Sequence, residues 1–276
     1  APSSSSSSRT YLESSAFVPD PKAVQAADVV VLAGDISPGV DGVIWARQCF
    51  GDRPVVYVAG NHEFFDREWN RGLDELRAAA RLHDVHLLED SCIEIAGVRF
   101  LGCTLWSDFN YFGAHQRGKM REEAERNFPD YSSIRADADP ARGLLTTELS
   151  IARHEQSLAW LKRELPKGDP SRTVVVTHHY PNRNSCPPKY ANDAMTAAFG
   201  SHVDTDLMRQ TGLWIHGHTH GSANYRIGDS KRYVRVVSNP RGFRLGWFDN
   251  EWENARFNPS FIVERIKDGN WAEAYP

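Results

Sequence analysis

The chain has 276 residues, 41% of them hydrophobic, which is enough for one domain with a sizeable core. A net charge of -4 weighs against a protein built mainly to hold nucleic acid, while leaving room for a locally positive, metal-bearing cleft. No apolar run approaches the roughly 20 residues needed to cross a bilayer.

Residues 1–27 read as a loop or linker rich in Ser and Pro. Ala1 and the serine run from Ser3 to Ser8 show no signal-peptide pattern. Either a processed end leads into a flexible serine linker, or the sequence begins inside a loop with a piece upstream of it. Residues 28–276 read as a single domain. A buried strand over 29–33, a helix over 40–50, a strand over 55–59 and a helix over 67–83 follow in order. Two strands joined through a helix imply a parallel βαβ unit.

From residue 86 the texture changes. Short strands over 86–88, 92–95 and 98–103 flank the turn Ala96-Gly97, which reads as a hairpin. Residues 109–135 are charged and aromatic and read as a helical excursion, which over 109–147 either caps a site or decorates the surface. An amphipathic helix spans 147–165, punctuated by Pro166 and Gly168. Strands follow over 174–177 and 213–216, then a hairpin-like pair over 224–227 and 233–238, and a last strand over 261–265. Cys49, Cys92, Cys103 and Cys186 form no C-x-x-C pair and read as reduced core residues, which places the chain in the cytoplasm. Trp45, Trp106, Trp160 and Trp214 read as core.

Four apolar runs end in Asp, Asn or His, where open α/β sheets place their chemistry. These ends are Gly34-Asp35, Gly60-Asn61-His62-Glu63, His178-His179 and, after Leu213-Trp214-Ile215, Gly217-His218-Thr219-His220. Asp35, Asn61, His178, His218 and His220 make a ligand set of carboxylate, carboxamide and imidazole, suited to Mn, Fe, Zn, Co or Ni. Each piece also has an ordinary reading: a strand-end turn, a helix cap, or hydrogen-bonded core histidines. The His-x-His spacing puts two imidazoles on one side of an extended segment.

Together and in this order, these motifs resemble the calcineurin-like metallophosphoesterases. The pattern of that family is Asp-x-His, Gly-Asp, Gly-Asn-His-(Asp/Glu), His and Gly-His-x-His. The last four elements match here over about residues 28–265, and Thr104-Leu105-Trp106-Ser107-Asp108 and Ser238-Asn239-Pro240-Arg241-Gly242 resemble a bacterial branch. The resemblance implies an α/β fold of two facing mixed sheets flanked by helices. It implies hydrolysis of a phosphomonoester or phosphodiester by a metal-activated hydroxide. Asp35 would bridge two metals; Asn61, His178 and His218 would complete one position, and His220 would serve the other. His62 would stabilise the transition state or protonate the leaving oxygen, and Glu63 would orient His62 or the metal shell. Beside these roles, Arg241 either meets a phosphate or is a surface or salt-bridged residue.

The sequence departs from the family at its opening motif. No histidine precedes His62, so Asp-x-His and the first strand that carries it are missing. Asp84-Val85-His86 comes too late in the order and reads as a helix-to-strand turn. The second metal position keeps only Asp35 and His220. A truncated chain, a one-metal member acting as a weakly active or binding module, and substitution by other residues are the three explanations. The loop over 180–190 either lines the substrate cleft or is a Pro-rich surface loop.

Overall fold

The computed structural model describes residues 17–137, 143–230, 232–245 and 252–274. The serine run, with the rest of 1–16, and residues 138–142 of the excursion lie outside the described residues. The linker expected over 1–27 is corrected at its end, where Pro21–Ala26 forms a short helix, α1. Asp20 caps it by accepting from the Lys22 N–H, and Pro21 presets its first turn.

Strand β1 (Val30–Ala33) and strand β2 (Val55–Val58) run parallel and are joined through α2 (Asp41–Phe50). Helix α3 (Trp69–Leu82) leads to β3 (His86–Leu87), parallel to β2, which completes a three-stranded sheet. The second sheet holds β4 (Ser91–Ile95), β5 (Val98–Cys103), β6 (Thr173–Thr177), β7 (Leu213–Ile215), β8 (Ala223–Gly228) and β9 (Tyr233–Ser238). Its order is β4-β5-β6-β7-β9-β8, with a parallel centre and an antiparallel strand at each edge.

Side-chain alternation assigns each strand to two cores at once. On β2, Val55 and Tyr57 pack with Val43, Leu73 and Leu76 of α2 and α3, while Val56 and Val58 meet Phe100, Val174 and Val176 of the other sheet. On the far side, Leu101, Val175 and Trp214 pack under α6 (Thr147–Glu164) through Trp160 and Leu161. Each such side chain contributes about 1.5–3 kcal/mol by leaving water, so burial on both faces rather than helix propensity sets where the strands end. The result is a two-sheet sandwich with helices outside, as expected.

Three local readings change. The excursion is not one helix: α4 (Arg117–Asn127) and α5 (Asp130–Ser133) are separated at Phe128-Pro129, because Pro129 cannot donate to a continuing helix. The last strand, β10 (Ile262–Arg265), pairs with a further one, β11 (Trp271–Ala274), through a turn at Gly269. Of the four cysteines, all free, only Cys103 is buried and Cys92 is exposed. Trp106, Trp160 and Trp214 are core, and Trp45 packs against the core half-buried.

Among the described residues β1 pairs only with β2, and β10 only with β11. Beside them runs a cavity of about 760 Å³, lined by Val31, Val174, Val237 and Val263 and reaching Asp35 and His62. The first strand implied by the resemblance is not among the described strands.

Glu89, between β3 and β4, accepts from the Thr104 N–H at 2.9 Å and the Thr104 hydroxyl at 2.8 Å. Burial, then the charge of Asp90, push its carboxyl from 4.5 up to about 7. The folded chain therefore holds a proton there that the unfolded chain releases. The stabilisation is complete below the unfolded value and is lost as pH rises through the folded one, on the order of 1–3 kcal/mol. We expect the metal-free protein to lose stability to urea between pH 5 and 8, and Glu89→Gln to flatten that fall. Equal slopes for both proteins would refute this.

Candidate metal centre

The strand ends converge. Asp35 follows β1 and Asn61 follows β2, while His178 follows β6 and His218 follows β7, so each sheet supplies two donors. His178 Nε2 lies 3.2 Å from Asp35 Oδ2, 3.0 Å from Asn61 Oδ1 and 2.9 Å from His218 Nδ1. Asp35, His178 and His218 offer ligand atoms within 4.8 Å of one another.

Backbone geometry makes this approach feasible. Asp35, His218 and His220 adopt left-handed φ of 58°, 68° and 47°, a region where Asp and His are enriched among non-glycine residues and which turns the chain sharply at these strand ends. Gly60 passes so close to Asp35 and His178 that a Cβ there would strike the Asp35 carboxylate and lie 2.7 Å from His178 Cε1. Only glycine fits.

Glu63, fully buried, fastens the two loops together. Its carboxylate accepts from the N–H groups of Asp35 (3.0 Å), Ile36 (2.9 Å) and Gly60 (2.7 Å) and from the Tyr57 hydroxyl (2.7 Å). These bonds fix the backbone that carries Asp35 and Asn61. Burial, then the Asp35 charge, push the Glu63 carboxyl up, while Tyr57, His178 and Ile36 pull the other way.

The donor chemistry fits a divalent cation. His178 Nδ1 faces the Ala33 carbonyl at 2.8 Å, so in the neutral ring Nδ1 donates and Nε2 carries the lone pair toward the cluster. Burial alone would lower the His178 imidazole, but the Asp35 charge and hydrogen bond raise it. Burial would raise the Asp35 carboxyl, yet His178, His62 and His218 hold it well below the usual range. Burial, then the charges of His179 and His178, keep His218 well below 6.5 and hence neutral. A single proton on His178 Nε2 satisfies only one of the three neighbours; a cation satisfies all of them.

Two residues that carry no motif support these donors. Asp130, on α5 and 2% exposed, accepts from Asn61 Nδ2 at 2.7 Å. Burial pushes its carboxyl up to about 7 against the pull of Asn61 and His62. Glu253 faces His220 Nδ1 at 2.8 Å, which fixes Nδ1 as donor and leaves Nε2 free to ligate, a carboxylate–histidine pairing common behind metals.

The other expected residues are placed as follows. His62 donates its backbone N–H to Asp35 Oδ1 at 3.0 Å, and its Nε2 is 3.8 Å from Asp35 Oδ2. His62 and His220 line the cavity with Asp35, but His220 stands outside the three-residue cluster. Phe243 packs against both rings, at 6.1 Å from His62 and 4.5 Å from His220. Arg241 lines the same cavity with its guanidinium over Trp252, 3.8 Å from the ring centroid. The loop over 180–190 does not line the cavity; Ser185 pins it inward through His216 and Tyr225, each at 2.7 Å. Asp84 is exposed, and His86 sits on β3, so that pair stands at the opposite edge of the sheet from β1.

"Uncharacterized protein L509" of Acanthamoeba polyphaga mimivirus is 21% identical over 223 residues, spanning 76% of this chain and 73% of its own. A solved crystal structure aligns at 13% identity with a TM-score of 0.42, over 77% of this chain and 79% of its own, a likeness too loose to carry the fold. The profile of the family described as calcineurin-like phosphoesterase matches residues 11–222. The match takes in all four strand ends that build the donor cluster, and the chain belongs to the calcineurin-like phosphoesterase family.

Proposed function

We propose that the chain hydrolyses phosphomonoesters or phosphodiesters with divalent metals, one held by Asp35, Asn61, His178 and His218 and a second served by Asp35 and His220. The observation that carries this is the meeting of three further donors, Asp35, Asn61 and His218, around His178 Nε2 at 2.9–3.2 Å. Such a cation, when bound, supplies Lewis acidity to a phosphoryl oxygen and acidifies water. The protein's part is to hold its donors rigid, to keep His218 neutral and, through the Nδ1 contact with the Ala33 carbonyl, to turn His178 Nε2 toward the other donors. His62, beside Asp35, is placed to donate a proton or hydrogen bond as charge grows on the leaving oxygen. Arg241, one of the arginines lining the cavity, would meet the remaining phosphoryl charge. The four free thiols and the net charge of -4 favour a cytoplasmic setting and a substrate other than nucleic acid. No helix among the described residues is long and apolar enough to cross a membrane.

A second reading, a one-metal binding module, draws on the single donor cluster and on His220 standing outside it. The two separate in one experiment. Chelated protein is reloaded with Mn, Fe, Zn, Co or Ni, its metal content is measured, and p-nitrophenyl and bis-p-nitrophenyl phosphate are assayed. The enzyme reading expects about two metals and turnover, with His62→Ala slowing it about 100- to 10,000-fold at unchanged metal content. At most one metal and no turnover supports the module instead.

A further inference from the structure

The excursion between β5 and β6 reaches the metal centre through Asp130 and Phe128. Its backbone clamps onto the segment after His62: Asp66 N–H donates to Ser133 O at 2.9 Å, and Arg135 N–H to Arg67 O at 2.9 Å. That clamp sets Asp130 beneath Asn61. A carboxamide can face either way, and its two ends differ only in who donates. Asp130 Oδ1 accepts from Asn61 Nδ2 at 2.7 Å, which leaves the other end of the carboxamide, Oδ1, aimed at His178 Nε2, 3.0 Å away. The same excursion packs Phe128 against the His218 ring, 6.3 Å between centroids.

We propose that Asp130 is a positioning residue of the metal centre, holding Asn61 in its ligating orientation. The inference rests on the metal reading above. It gives the excursion a part in building the site, rather than only covering it. It also accounts for a carboxylate buried at 2% exposure, whose nearest polar partner is a metal-ligand candidate. Burying such a group is costly unless it is used.

The test titrates metal-free wild type, Asp130→Ala and Asp130→Asn with Mn2+ alone, followed by the electron paramagnetic resonance signal of the free ion. Thermal melting of each metal-free protein is measured alongside. Asp130→Ala should weaken Mn2+ binding about 10- to 100-fold, the range for removing a group that orients a ligand. Its metal-free melting temperature should hold or rise, since a buried carboxylate has gone. Asp130→Asn keeps an acceptor for Nδ2 and should recover affinity to within about fivefold of wild type. Should Asp130→Ala fail to fold, a loss of affinity in Asp130→Asn of more than about 100-fold overturns the orienting role. Wild-type affinity in Asp130→Ala, with or without a lowered melting temperature, overturns it too. If the wild type takes up no Mn2+, the metal reading itself falls and takes this inference with it.

Discussion

His178→Ala should abolish metal uptake, lowering affinity by more than the 10- to 100-fold that loss of a supporting residue costs. His178 is fully buried and is the one side chain that touches Asp35, Asn61 and His218 together. Alanine there removes a donor and the hydrogen bond to Ala33 O that ties the two sheets at the site. It also leaves the Asp35 carboxylate without the histidine that most strongly holds it ionised against burial. Stranding one partner of a buried charge pair costs about 3–5 kcal/mol. Two readings check this: metal content after reloading, and urea unfolding of the metal-free variant. Wild-type metal content would show that the cluster is not the binding site.

Glu63→Ala should be the most destabilising single change near the site, by about 4 kcal/mol or more. Three backbone N–H groups and the Tyr57 hydroxyl lose their acceptor in one step. Each buried donor left unpaired costs about 1–3 kcal/mol, and whole domains hold only about 5–15 kcal/mol. Glu63→Gln should fall between, since one oxygen remains while its amide faces N–H groups. Metal affinity should drop in both variants, because the two loops that carry Asp35 and Asn61 lose their tie. Unfolding curves within about 1 kcal/mol of wild type would show that water replaces the carboxylate at little cost.

The parts of this molecule that could be read from sequence are those whose constraint is local. Val55, Val56, Tyr57 and Val58 form a continuous apolar run because both faces of β2 are covered, and such a run is visible without a structure. The glycines before Asp35, Asn61 and His218 mark turns that a side chain would block, so ligand and turn advertise each other. Asp130 and Glu253 carry no such mark. Their partners lie 69 and 33 residues away, and nothing in Pro129-Asp130-Tyr131 or Trp252-Glu253-Asn254 distinguishes them from solvent-facing acids. Strand β11 escaped notice because Trp271-Ala272-Glu273-Ala274 lacks β-branched residues and earns its place by pairing with β10. Glu63 was visible within its motif, but its action on the backbone of another loop was not.

Among the described residues the two sheets share no ladder, yet the donors come from both. An ion gripping them is therefore a cross-link as well as a reagent. Its tie points include pairs 117 and 40 residues apart, spans over which a covalent bridge would sharply restrict the unfolded chain. Unlike a disulfide, this bridge is reversible, and its strength follows free-ion concentration and pH. With the proposed metal in place, the supply of an ion would latch the halves of the sandwich together or loosen them.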